Sequence, residues 1–234
     1  MKSYQIHLIR HGITDANVNG QYAGVTDLPL NAQGVARLQK LADECDYPGA
    51  AVFYSSPLKR CVQTCNILYP QVNPILVPGL AECDFGAWEG KTAKELQSDP
   101  EFVRWLENSQ QTAPPGGESG VDFTKRVCET FEKLVESLLR TGTTSAVLVA
   151  HGGTIMTILT AYGLPRADFY DWIVDNGCGY SLRITPGLWM RDKVAEVYAK
   201  LPAGESGEVQ GDFKYMIDIA REAADRAYGR KEKE

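Results

Sequence analysis

A three-layer α/β/α domain, with helices on both faces of a mainly parallel central sheet, is the fold this sequence predicts. Three observations carry that expectation. Short apolar runs at 5–9, 50–54, 75–77 and 145–150 alternate with longer segments of helical periodicity. The run at 145–150 (SAVLVA) is apolar at nearly every position, as a strand covered on both faces must be. Two of the three histidines, His11 and His151, stand at the carboxyl ends of such runs and directly precede glycine. Ligands of open α/β sheets bind beyond the carboxyl ends of the strands, and glycine lets the backbone turn there and a ligand approach.

Residues 5–9 form the first strand, ending at Arg10-His11-Gly12. Val35, Leu38, Leu41 and Ala42 recur at helical spacing within 31–45. Residues 50–54 read as a buried strand that stops at Ser55-Ser56-Pro57. Pro57 opens a helix to about 69 with Leu58, Cys61, Cys65 and Leu68 on one face, the two cysteines as small core residues. Residues 75–77 are a short strand, 79–91 are glycine-rich and irregular, and helical patches follow at 92–98 and 100–108. After the loop at 113–117, residues 118–139 form a long amphipathic helix that turns Phe123, Val127, Phe131, Leu134 and Leu138 inward. The strand at 145–150 leads into a helix at 154–162, and late strands lie at 180–184 and 194–198. Trp88, Trp105, Trp172 and Tyr180 are expected in the core, and His7, inside the first strand, in a structural role. Residues 1–200 make one domain. Residues 201–234 make an extension, a polar linker (202–211) followed by a helix at 212–228 with Phe213, Met216, Ile217, Ala220, Ala224 and Ala227 on one face.

Composition narrows the function. The 24 Lys and Arg against 30 Asp and Glu leave a net charge of −6, with no basic block, which disfavours nucleic acid and membrane surfaces as partners. Six cysteines are too few for a disulfide scaffold and none pairs as CxxC, so neither a stapled fold nor a structural zinc site is expected. Scattered thiols and a first strand broken by Arg10, unlike a signal peptide, suit a cytoplasmic protein. Residues 141–165 carry no Asp, Glu, Lys or Arg, but His151-Gly152-Gly153 at their centre fits strand, turn and helix better than a membrane span. The chain lacks G-x-S-x-G and HExxH, its Gly86–Thr92 stretch is one residue short of a P-loop, and no cysteine precedes an arginine at phosphatase spacing.

What remains is Arg10, His11, Thr14, Asn17, Arg60, Glu82, His151 and Gly152, with Arg60 just after the second strand and Glu82 in the loop after the third. Two arginines, two histidines and a carboxyl group suffice for phosphoryl transfer without a metal. Guanidinium forks recognise a phosphate dianion. A neutral imidazole can attack phosphorus and carry the phosphoryl group. A carboxylic acid can protonate the leaving alkoxide and then, as carboxylate, deprotonate water.

With these residues in place, the chain is identified as resembling the histidine phosphatase superfamily, of phosphoglycerate mutase-like fold. LIRHGITDAN, SSPLKRCVQT, LAECDFGAWEG, PGGES and VAHGG resemble the family's blocks in order, across about 4–186. The resemblance implies that His11 becomes phosphohistidine and that Arg10, Arg60 and His151 hold the phosphoryl group. It implies Glu82 as proton donor, and Asn17, Gly24 and Gly152 as phosphate contacts. Ala23 stands where the family often has a hydroxyl residue before Gly24.

Within the family, Thr14 and Gly152-Gly153 differ from the acid phosphatase branch, which leaves the proton to Glu82. The glycolytic mutases grip a second acidic group with paired arginines. Between Glu82 and Pro114 this chain has only Arg104, which favours a phosphatase over a 2,3-bisphosphoglycerate-dependent phosphoglycerate mutase. GVTDLPLNAQG and DFGAWEG are most similar to the alpha-ribazole and broad-specificity bacterial phosphatases. The expectation is a metal-independent phosphomonoesterase without cofactor, acting on a small phosphometabolite such as alpha-ribazole phosphate. A non-catalytic phospho-ligand binding module is the alternative of another class. The terminal helix leaves a homodimer open.

Overall fold

The structure, a computed structural model, describes residues 2–203. Strand β1 (Tyr4–Arg10) runs into α1 (Asp15–Val18) and α2 (Ala32–Glu44), then β2 (Val52–Ser55), α3 (Lys59–Leu68) and β3 (Ile75–Leu76). Single 3₁₀ turns at Pro78–Leu80 and Gly86–Trp88 punctuate the next segment. Helices α4 (Ala93–Leu96), α5 (Pro100–Glu107) and α6 (Gly120–Thr141) lead to β4 (Ser145–Ala150), α7 (Gly152–Tyr162), β5 (Gly163–Leu164), β6 (Gly179–Ile184), α8 (Pro186–Asp192) and β7 (Ala195–Leu201).

Local chemistry sets the helix ends. The Asn31 side chain accepts the Gly34 amide at the start of α2, and Ser119 accepts the Asp122 amide at the start of α6. Helix α6 stops at Gly142, whose φ of 71° is the left-handed cap that glycine adopts without strain. Asp99 caps α5, and Pro100 sits at its first position, where a missing N–H costs nothing.

The sheet order is β3-β2-β4-β1-β6-β7-β5. Among the described residues, β6 runs against its neighbours β1 and β7, and the other pairings are parallel. Alternation along the strands divides the core in two. Ile6, Leu8, Ala146, Leu148 and Ala150 pack with Phe123, Val127 and Phe131 of α6 and Ile155 and Ile158 of α7. Ile9, Val147 and Val149 face the other way, against Leu38 of α2 and Cys61, Cys65 and Leu68 of α3. That is the three-layer arrangement expected, with both cysteines in the core. A third cluster joins Tyr22, Trp88, Ala93, Leu96 and Phe102 beside the sheet's carboxyl end.

Some elements differ from the reading of the sequence. Helix α1 is a single turn built on a capping box, in which Thr14 and Asn17 exchange side-chain and backbone bonds, and it has too few residues to show periodicity. Helix α8 occupies 186–192 between the late strands, and β5 is a two-residue edge strand. In α6, Val135 is fully buried while Leu134 is only partly so, which rotates the inward face by one residue. His7 is buried and its Nδ1 lies 2.8 Å from the Ser181 hydroxyl of β6, a structural pair as anticipated. Strand β7 ends at Leu201 and Ala203 bridges to Asp46, whereas the helix expected at 212–228 lies outside the described residues. No helix among the described residues is long and apolar enough to cross a membrane.

Candidate active site

Strands β1 and β4 are parallel neighbours with Arg10 opposite Ala150. The next residues, His11 and His151, therefore leave the sheet side by side, and their rings meet edge to face with centroids 5.2 Å apart. Both are buried. The Gly12 amide donates to Thr64 Oγ1 of α3 (2.9 Å), which ties the turn after β1 to the helix after β2. An alanine at Gly12 would put its Cβ 2.6 Å from Leu38 Cδ1, so glycine lets this turn close on α2.

His11 Nδ1 lies 2.6 Å from the Gly12 carbonyl, which can only accept, so Nδ1 carries the proton and Nε2 keeps its lone pair. Burial, then the charges of Arg60 and Arg10, hold the His11 pKa well below that of an ordinary histidine. His11 is therefore a neutral imidazole with its free nitrogen available. Arg10, the last residue of β1, donates from Nη1 to the Val174 carbonyl (2.7 Å). Burial lowers its pKa to about 10, with Glu82 and Asp175 opposing, so it remains a cation at neutral pH.

His151 receives a hydrogen bond from Arg60 Nε at Nδ1 (3.2 Å), which leaves its proton on Nε2, directed at the Ser56 hydroxyl (2.8 Å). Cys61 Sγ lies 3.5 Å from the same nitrogen. The Arg60 guanidinium also donates to the carbonyls of Thr26 (2.8 Å) and Gly24 (2.6 Å). Residues 24–26 are in turn held by Glu89, whose carboxylate accepts the amides of Gly24, Val25, Thr26 and Phe85. Three successive N–H groups around a carboxylate make an anion nest filled from within. The Gly24 amide, read from the sequence as a phosphate contact, thus already serves Glu89.

Glu82 projects from the irregular segment after the first 3₁₀ turn. Its Oε1 accepts the Cys83 amide (3.0 Å) and its Oε2 the Gly153 amide in the first turn of α7 (2.8 Å). These bonds and the charges of Arg60 and Arg10 favour the carboxylate, but burial outweighs them and raises its pKa. Asn17 accepts the Thr14 amide and hydroxyl at Oδ1, leaving Nδ2 as the donor end it can offer a ligand.

A cavity of about 580 Å³ opens above these groups. Arg10, His11, Asn17, Glu82, Gly152 and Gly153 form part of its wall, with the N-terminus of α7 directed at the same space. Arg60, His151 and Gly24 do not contribute to that wall; Arg60 reaches it only through His151, whose ring meets that of His11. The upper wall is Tyr22, Phe85, Trp105, Phe123, Met156, Phe169 and Tyr170, with Glu107, Ser109 and Gln110 among its polar positions. Of the aromatic residues expected in the core, Trp88, Trp172 and Tyr180 are there. Trp105 is only partly buried and instead lines the cavity, because α5 turns it toward Tyr22 and Phe85.

Several residues that shape the site carry no motif of their own. Asn176 Nδ2 donates to the carbonyls of His11 (2.9 Å) and Gly12 (3.2 Å), spanning 165 positions of sequence in the first case. Ser56 and Glu89 lie inside blocks singled out above, which was the available signal for them. An alanine at Gly153 would place its Cβ 2.5 Å from Glu82 Oε1. Gly153→Ala is therefore expected to displace that carboxyl and lower the kcat/KM of the reaction at this site about a hundredfold. The thermal unfolding midpoint should hold, since alanine is the better helix former. Steady-state kinetics beside a melting curve checks both halves.

Comparison with known proteins gives a consistent result. The family model described as histidine phosphatase superfamily (branch 1) matches residues 6–196. An adenosylcobalamin/alpha-ribazole phosphatase of Escherichia coli (strain K12) is 29% identical over 186 residues, 77% of this chain and 90% of its own. A 2,3-bisphosphoglycerate-dependent phosphoglycerate mutase of Rhizobium etli is 31% identical over 173 residues, 70% of this chain and 81% of its own. The crystal structure of the alpha-ribazole phosphatase from Shigella flexneri superposes with a TM-score of 0.72 at 27% identity, covering 88% of this chain and all of that one (100%).

Proposed function

The chain belongs to the histidine phosphatase superfamily, and from that premise we propose that it hydrolyses phosphomonoesters of a bulky, aromatic, uncharged alcohol through a phosphohistidine at His11. The observation that carries this reading is the cavity, which has a neutral imidazole and a buried carboxyl at one end and an aromatic wall at the other.

In the first step His11 Nε2 gives its lone pair to phosphorus and the ester P–O bond breaks. The departing alkoxide takes the proton of Glu82. Arg10, Asn17 and the Gly152 amide offer donors to the phosphoryl oxygens, and Arg60, whose N–H groups serve His151 and the carbonyls of Thr26 and Gly24, adds its positive charge nearby. In the second step water attacks the phosphohistidine, Glu82 as carboxylate takes the proton, the P–N bond breaks and phosphate leaves. His11 is then neutral and Glu82 protonated again, so no metal or cofactor enters the cycle.

Arg10 is the cation of the cavity wall among the described residues, and Glu107 adds an acidic group to the upper part. Among the described residues, a second anionic group on the substrate, such as the carboxylate of a phosphoglycerate, has no further guanidinium or ammonium in that wall to meet it. That favours hydrolysis over the mutase reaction named for some relatives. Alpha-ribazole phosphate, from the relatives' names, is the first candidate substrate.

The test is phosphate release without added metal. Alpha-ribazole phosphate and aryl phosphates are expected to exceed 3-phosphoglycerate by roughly a hundredfold in kcat/KM, the scale at which an apolar pocket discriminates. EDTA should leave the rate unchanged. Isomerisation of 3-phosphoglycerate outrunning phosphate release would replace this reading with the mutase.

A further inference from the structure

Glu82 sits on a segment with no regular secondary structure, between the 3₁₀ turns at Pro78–Leu80 and Gly86–Trp88. Such a segment has no ladder to fix its carbonyls, and each must find a donor elsewhere. One side chain meets three of them. Arg126, on α6, donates from Nη1 to Gly79 O (3.2 Å) and Ala81 O (3.0 Å), and from Nη2 to Glu82 O (3.3 Å).

The remaining donors of the same guanidinium go to one carboxylate. Nε donates to Glu118 Oε1 (2.9 Å) and Nη2 to Glu118 Oε2 (2.6 Å), a bidentate pair. All five N–H groups of the guanidinium are thereby used. The pair is well shielded, with side-chain exposures of 29% and 17%. Glu118 is itself fixed, because its amide donates to the Asp84 carbonyl (2.9 Å). The segment is thus gripped from both sides of Glu82. Helix α6 approaches so closely that a Cβ on Gly79 would lie 2.0 Å from Thr130 Oγ1.

We propose that Arg126, locked by Glu118, is the positioning residue of Glu82: it holds the backbone that carries the general acid, and so sets where the proton is delivered. Arg126 is not among the residues that wall the cavity, and the three carbonyls it holds end at that of Glu82 itself. The proposal rests on the reading of Glu82 as the proton donor.

Leaving-group dependence separates positioning from a general role in folding. kcat/KM reports the steps up to departure of the alcohol, and an alkyl leaving group needs a proton where p-nitrophenolate does not. Arg126→Met is expected to lower kcat/KM for an alkyl phosphate by roughly thirtyfold, within the range that misplacing a catalytic group costs. For p-nitrophenyl phosphate the fall should stay within about threefold, since the acid contribution is not drawn on. Glu82→Gln, run beside it, should show the same selectivity more strongly. Arg126→Lys keeps the charge with three donors in place of five and should fall between wild type and Arg126→Met. Should Arg126→Met not fold, Arg126→Lys and Glu118→Gln carry the same comparison.

Selective loss in Glu82→Gln with equal losses on both esters in the Arg126 and Glu118 variants overturns the positioning role and leaves the acid assignment standing. Absence of selectivity in Glu82→Gln itself overturns the acid assignment, and the proposal with it.

Discussion

Replacing His11 with alanine is expected to lower turnover by roughly five orders of magnitude or more, the scale on which removal of a nucleophile acts elsewhere. The size of the effect follows from the lack, among the described residues, of a substitute at that end of the cavity. His151 is the nearest imidazole, but its Nδ1 accepts from Arg60 and its Nε2 faces Ser56. The Cys83 thiol lies in the wall, yet burial and the neighbouring Glu82 push its pKa up, so it holds its proton. The fold should persist, because the bond that the His11 ring makes is local, Nδ1 to the next residue's carbonyl, and its ring contact is with the neighbouring His151. Brief incubation of wild type with a substrate labelled at phosphorus, followed by alkaline quench, should leave acid-labile label on the protein, and His11→Ala should leave none. Turnover within a hundredfold of wild type in the variant would remove His11 from the nucleophile's role.

The pair of histidines was legible because two independent signals coincide at each. An apolar run marks a strand's end, and the following glycine marks a tight turn where a ligand can approach. Glu82 had no such support from periodicity, since its segment has none; its place in the loop after the third strand made it a candidate carboxyl group, and the resemblance of its block gave it a role. Gly24 shows the reverse problem. A glycine beside a family block reads as a phosphate contact, yet the carboxylate that fills its amide nest stands 65 positions later and contributes nothing to local pattern. The same holds for Arg126, whose value lies in three carbonyls more than 40 positions away. Hydrophobic alternation specifies which face of an element is buried. It says nothing of which polar side chain will satisfy a loop's backbone, because that depends on how two elements meet. Trp105 departs for a related reason: an aromatic residue on a short amphipathic helix reads as core, and only the approach of Tyr22 and Phe85 makes it the wall of a cavity.

The second large effect is the pH dependence of the proton transfer, and it follows from two opposite shifts. On the proposed mechanism, phosphoryl transfer to His11 needs a neutral imidazole and a protonated Glu82 at the same moment. With the ordinary values of 6.5 and 4.5, the histidine would lose its proton only after the carboxyl had, and the competent form would never exceed about one molecule in a hundred. Burial moves both groups toward their neutral forms: the pKa of His11 falls well below 6.5 and that of Glu82 rises from 4.5. Each shift enlarges the competent fraction, so the buried pair can be both nucleophile and acid without a metal. The sign is then determined. As pH rises, kcat/KM for an alkyl phosphate should increase through the low pKa of His11 and decrease through the raised pKa of Glu82. The falling limb should be centred above 4.5. Ionisation of the substrate's phosphate affects alkyl and aryl esters alike, so the ratio of their kcat/KM values isolates Glu82. In wild type that ratio should fall with rising pH. In Glu82→Gln it should be flat and lower by roughly a hundredfold to ten-thousandfold, the usual contribution of general acid catalysis. A flat ratio in wild type would mean that the proton reaches the leaving group from elsewhere, and that the burial of Glu82 serves the fold rather than the reaction.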